Sequence, residues 1–128
     1  MADALFDTTV LIDYYRGDVD AQRLVDAVRT GAMTASFSPV TSYELWIGMR
    51  SREEELNYLA VLRRFDEAPL TSAMARQAAY WLRGTGERPR EDLIRDALIA
   101  ATAAARGEVI YTRNVRDFQR FYARVKAY

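Results

Sequence analysis

The sequence predicts one α/β domain: a short parallel sheet with helices on both faces. Three observations carry this expectation. The chain has 128 residues, half of them hydrophobic, enough for a single buried core. Short apolar runs alternate with longer segments of helical periodicity, as in a sheet joined by helical crossovers. Several connections hold two helices, and no repeat, linker or low-complexity segment divides the chain.

The elements follow in order. Ala4–Phe6 reads as a short buried strand. Thr8 or Thr9 is placed to cap a helix reaching Arg16, stopped by Gly17. A second helix is expected over 20–29, with Leu24, Val25 and Val28 on one face and Gly31 behind it. Residues 32–36, "AMTAS", read as the next strand. Ser38 then caps a helix with Pro39 at its first position. "SREEELNYLAVLRRF" opens on a capping box, Ser51 and Glu54, and its Leu56, Leu59 and Leu62 are expected to pack inward. Residues 65–70, "FDEAPL", read as a third strand, and Thr71 caps a helix reaching Leu82 or Arg83. "GTGERPRED" is the one clear loop. An alanine-rich helix over 91–105 ends at Gly107; "EVIYT" is a fourth strand, 115–122 a short helix and "RVKAY" an edge strand.

Composition removes whole classes of chemistry. Cysteine and histidine are both absent, which excludes disulfides, thiolate and imidazole metal sites, and every Ser-His-Asp or Cys-His mechanism. An enzyme built from this chain works with carboxylates, hydroxyls, arginines and a borrowed ion. Acids and bases balance at 18 each, so no global field draws nucleic acid. All the bases but Lys126 are arginine, whose planar fork suits phosphates and bases, although GC-rich coding favours arginine too. No apolar run is long enough to cross a bilayer, and none at the start has the form of a signal peptide, so a cytoplasmic protein is expected.

In sheets of this kind, sites form at the carboxyl ends of the strands. Asp7 stands there, where the first strand hands over to its helix, a position a helix cap or turn residue also takes. Glu44 lies among Tyr43, Trp46 and Ile47, where an unpaired charge is costly to bury. Asp96 sits in mid-helix, before a run that is nearly all apolar or small, although aspartate is a poor residue there. Asp92 is one turn earlier, and Arg95 or Arg88 are the cations that would neutralise such a pair. Asp117 follows the fourth strand, with Thr112 and Asn114 adding oxygens; a helix cap at Asn114 with Asp117 in its first turn reads equally well.

Together "FDTTVLIDYYRG", "SYEL", "DALIAATAAARG" and "IYTRNVRDFQRF" resemble, in order and over nearly the whole chain, the PIN-domain family. The resemblance is nearest to the VapC-type toxin ribonucleases of bacterial toxin–antitoxin pairs. It implies a single PIN-like domain over 1–128, with about five parallel strands in the order 3-2-1-4-5. It places the catalytic, metal-holding acids at Asp7, Glu44, Asp96 and Asp117, with Thr8, Thr112 and Asn114 supporting them. Asn114 is an alternative to Asp117 at the fourth position, the most variable in the family. Carboxylates crowded within about 4 Å repel by about 4 kcal/mol at an effective dielectric of 20, so such a site calls for a counter-cation or a raised pKa, and an all-oxygen donor set selects Mg²⁺ or Mn²⁺.

The implied activity is hydrolysis of RNA phosphodiesters by a water that the ion activates, leaving a 5′-phosphate. Arg16, Arg113 and Arg116 are candidates to grip the RNA, and Tyr14 and Tyr15 to stack on its bases. The implied partners are a VapB-type antitoxin, able to place a basic side chain in the acidic site, and a second copy of the chain. Trp46, Tyr80, Trp81 and Leu82 are candidate contacts. Other readings stay open: a receiver-like phosphoacceptor domain, a phosphatase with Asp7 as nucleophile, and a catalytically silent PIN-like binding module. The first lacks a second acid beside Asp7, and the second has Thr9 where another aspartate is usual.

Overall fold

The computed structural model describes residues 2–128. Five parallel strands form one sheet in the order β3-β2-β1-β4-β5: β1 (Ala4–Phe6), β2 (Ala35–Phe37), β3 (Asp66–Glu67), β4 (Val109–Tyr111) and β5 (Val125–Lys126). Helices α1 (Thr8–Tyr15) and α2 (Val19–Arg29) connect β1 to β2, while α3 (Pro39–Ile47) and α4 (Arg52–Leu62) connect β2 to β3. Helices α5 (Ser72–Thr85) and α6 (Glu91–Arg106) return the chain to β4, and α7 (Val115–Gln119) leads to β5.

Alternation along β1 divides the core in two. Ala4 and Phe6 face one side, with Val10, Leu11, Val25, Phe37, Leu62 and Phe65, under α1, α2 and α4. Leu5 faces the other, with Ile99, Ala100, Ala103, Ile110 and Phe118, under α6 and α7. The alanine run in α6 lets two layers approach it at once: Ala100 and Ala103 meet the sheet, while Ala97 and Ala101 meet Met74 and Ala78 of α5. Helix α3 spans the two halves, with Leu45 in the first core and Val40 against the second.

The elements differ from expectation in places. Asp7, not Thr8 or Thr9, is the N-cap of α1, its Oδ1 accepting from the Thr8 amide at 2.8 Å. Asp18 caps α2, so that helix starts at Val19. β2 sits three residues later than expected at its start, because residues around Thr34 are used to tie back to Asp3: Thr34 N and Oγ1 both donate to Asp3 Oδ2. Only Asp66 and Glu67 of the third apolar run pair as strand. In α4 Leu62 is buried, but Leu56 and Leu59 are exposed, so the expected inward stripe is incomplete. Helix α7 stops at Gln119, shorter than expected.

The amino edge of the sheet holds a buried ion pair that the sequence did not flag. The fully buried Glu108 accepts from Ser36 Oγ at 2.7 Å, from the Ala2 amide at 3.0 Å and from Arg106 Nε at 2.7 Å. Among the described residues no helix is long and apolar enough to cross a membrane.

Candidate active site

At the opposite, carboxyl edge, α1 and α3 start directly from β1 and β2, and α6 points its first turns the same way because it runs back to the amino end of β4. Each helix delivers one acid there. Asp7 caps α1, Glu44 lies in the second turn of α3 and Asp96 in the second turn of α6. The positive ends of these helix dipoles favour the negative charge so gathered.

The acids converge on Arg95. Its Nη2 lies 2.6 Å from Asp7 Oδ1 and its Nη1 lies 2.5 Å from Asp96 Oδ1. Its Nε lies 2.8 Å from Glu44 Oε2, though the N–H is poorly directed, so that contact is a charge pair rather than a formed hydrogen bond. Asp7 is fully buried and Asp96 nearly so, whereas Glu44 keeps about a quarter of its side chain exposed (28%).

On Asp7 and Glu44, hydroxyls hold the carboxylate oxygen that does not face Arg95. Thr9 Oγ1 and Thr112 Oγ1 donate to Asp7 Oδ2 at 3.0 and 2.9 Å. Thr8 Oγ1 donates to Glu44 Oε1 at 2.7 Å and lies 2.9 Å from Thr41 Oγ1. The Asn114 amide donates to Thr112 Oγ1, so Asn114 reaches the site through its backbone. Asp7 and Glu44 are thus oriented by a shell of threonines before any ligand arrives, whereas, among the described residues, Asp96 is held by Arg95 alone.

Burial pushes the Asp96 carboxyl up to about 6; the Arg95 charge opposes this, and the Asp7 and Asp117 charges reinforce it. Burial disfavours the Arg95 charge as well, but Asp7 and Glu44 more than offset it and hold the guanidinium protonated well above its ordinary range. Asp117 is exposed in the first turn of α7, close enough to act on Asp96 through its charge. Asn114 occupies the N-cap position of α7 without a side-chain capping bond.

The other sequence candidates are spread around this centre. Arg113 is bound elsewhere: its Nη2 pairs with Asp18 at 2.7 Å, its Nε with Asp13 at 3.0 Å, and it lies over the Tyr128 ring. Arg116 is exposed beside Asp117. Arg16 lines a groove of about 320 Å³ with Tyr15, Tyr58 and Glu44. The Tyr15 and Tyr58 rings there are 3.9 Å apart, while Tyr14 packs against the core. Asp92 is outside the site and pairs with Arg90. Trp46 and Trp81 are partly buried against the core, and Tyr80 is exposed.

A fold of this order with acids at its carboxyl edge invites comparison with known proteins. Residues 4–124 match the PIN domain family. The chain belongs to the PIN-domain family. This PIN domain is 35% identical over 118 residues to Ribonuclease VapC10 of Mycobacterium tuberculosis, covering 91% of this chain and 86% of that protein. A toxin–antitoxin complex from Klebsiella pneumoniae holds a similar chain at TM-score 0.76 and 25% identity, covering 96% of this chain and 95% of that one. The DNA-bound VapBC structure from Salmonella typhimurium shares the fold at TM-score 0.75 and 22% identity, with 99% and 98% covered.

The expected strand order agrees with the sheet observed in this PIN domain. Missed in the sequence were Arg95 as the hub, Thr9 and Thr41. In the sequence Arg95 reads only as one of two cations, with Arg88, that would neutralise the Asp92 and Asp96 pair. Adjacent helical residues usually face apart, so a hub formed with the next residue gives no spacing signal.

Among the described residues, no group of acids is spaced to hold a metal ion as placed. The donor set nevertheless fits a hard divalent ion. Asp7, Glu44 and Asp96 each turn one oxygen to a common cation, all ligands are oxygen, and one guanidinium leaves their charge in excess.

Proposed function

We propose that this chain is the toxin ribonuclease of a toxin–antitoxin pair, an endonuclease that hydrolyses RNA phosphodiesters with Mg²⁺ or Mn²⁺. The observation that carries the reading is the convergence of Asp7, Glu44 and Asp96 on one cation at the carboxyl edge. Identity to a protein named ribonuclease, over most of both chains, supports it.

Asp7, Glu44 and Asp96 are the proposed metal-holding residues, with Asp117 as an outer acid and Asn114 as its alternative. Thr112 and Thr9 fix the plane of Asp7, and Thr8 fixes Glu44, so two of the three acids would be oriented before an ion arrives. A divalent ion held there supplies the charge that acidifies water and offsets negative charge building on the phosphodiester. Asp96 must lose its proton before it binds that ion. Arg16 and Arg116, both exposed near the acids, are the better placed of the three arginines to meet phosphates, since Arg113 is held by Asp13 and Asp18. The toxin–antitoxin assemblies among similar structures support an antitoxin as partner, and a homodimer and a cytoplasmic location belong to the same reading.

The test is RNA cleavage by the purified protein with Mg²⁺ or Mn²⁺, with EDTA, and with Asp7→Asn. Cleavage that needs the ion and falls roughly a thousandfold in Asp7→Asn is expected, the order of loss when one group leaves a site acting as a unit. Folded proteins that cut no RNA, or an Asp7→Asn variant that cuts as well as the parent, would overturn it.

A further inference from the structure

Arg95 does more than neutralise a neighbour. It holds one oxygen each of Asp7, Glu44 and Asp96, on three different helices. On Asp7 and Glu44 the remaining oxygen is already taken by threonine hydroxyls. A divalent ion shared by all three acids draws on the oxygens that converge, and these are the ones that now face the guanidinium. Two cations at that spacing would also repel each other.

Arg95 has somewhere to go. Its side chain is 18% exposed and borders an open groove of about 510 Å³, lined by Pro39, Val40, Tyr43, Leu70, Ile94 and Leu98, with Glu44 at the same rim. The groove gives the long, flexible side chain room for a rotamer that takes the guanidinium off the acids.

We infer that Arg95 is a built-in competitor for the divalent ion: guanidinium and ion hold the same carboxylate oxygens in turn, and Arg95 sets the ion concentration at which the site loads. This rests on the reading of Asp7, Glu44 and Asp96 as metal-holding residues. Arg95 is thus a positioning residue, keeping the acids gathered until the ion arrives. The cost of that service is apparent affinity, lowered by the fraction of molecules in which Arg95 occupies the acids.

The experiment is calorimetric titration of Mn²⁺, without RNA, into the full chain, Arg95→Met and Arg95→Lys. If Arg95 occupies the acids in nine molecules of ten, Arg95→Met binds Mn²⁺ about tenfold more tightly, with Arg95→Lys between the two. In the unaltered protein, the ¹⁵N-labelled Arg95 Nη–H resonance, from the groups that donate to Asp7 and Asp96, should be protected from solvent exchange in EDTA and lose that protection on saturation with Mg²⁺. Equal or weaker Mn²⁺ binding by Arg95→Met overturns the inference and leaves the metal-site reading standing. If none of the proteins binds Mn²⁺, both fall. An Arg95→Met chain that folds only with Mn²⁺ supports competition. If it does not fold at all, the Arg95 resonance decides: no change at Mg²⁺ saturation overturns the inference.

Discussion

The two edges of the sheet each bury acid against arginine, and they differ in one respect. At the amino edge one acid, Glu108, meets one arginine, Arg106, and Ser36 and the Ala2 amide complete its bonding. At the carboxyl edge three acids share Arg95, with Asp117 close outside. The first arrangement is neutral and closed. The second carries surplus negative charge that the fold alone does not satisfy. A matched pair is what structure needs, whereas an unmatched excess is tolerated where a ligand is to supply the missing charge.

The largest expected effect lies at the closed edge. Glu108→Ala strands a mostly buried Arg106, and loss of one partner of such a pair costs about 3–5 kcal/mol in urea unfolding. Asp7→Asn, measured without metal, should move stability by only about 1 kcal/mol, because it relieves crowding while an amide oxygen can still cap α1. Equal losses at the two sites would break the comparison.

The next effect is a pH dependence at the open edge. The native Asp96 pKa of about 6 lies above its ordinary 3.8, so the folded chain binds the proton more tightly than the unfolded one. The stability this contributes is fully present below the ordinary value and is lost as pH rises through about 6. In EDTA, the parent should therefore lose stability relative to Asp96→Asn between about pH 4 and pH 7.5. Parallel curves for the two proteins would show that burial among these charges does not hold a proton on Asp96.

The smallest effect concerns the threonine shell. Thr112→Val deletes the 2.9 Å bond to Asp7 and should cost about 1 kcal/mol of stability. It should also lower RNA cleavage about tenfold, as loss of an orienting partner does. A larger stability loss with unchanged cleavage would make Thr112 a packing residue only.

The strands and the placement of Asp7 and Asp96 leave local marks, whereas the strand order came with the family resemblance. Asp7 ends an apolar run, Asp96 interrupts an apolar helix, and glycines close α1 and α6. The Glu108 pair left none: "RGE" reads as a helix end and a solvated charge, and Ser36, its partner 72 residues away, reads as an ordinary strand residue. Leu56 and Leu59 misled in the opposite sense. Their spacing is that of a buried face, but the third strand pairs over Asp66 and Glu67 alone and α4 buries only Leu62 fully. Arg95 escaped for a third reason: its long side chain folds back beside its own neighbour, a placement set by acids on α1 and α3 rather than by α6.

The outermost strands, β3 and β5, are two residues long, and Asp66, Glu67 and Lys126 put exposed charge on them. Such borders give another chain almost no ladder to extend, which guards against fibrillar stacking. Any pairing of two copies is thereby left to helical faces, so its geometry is decided by side-chain fit rather than by a continuous sheet.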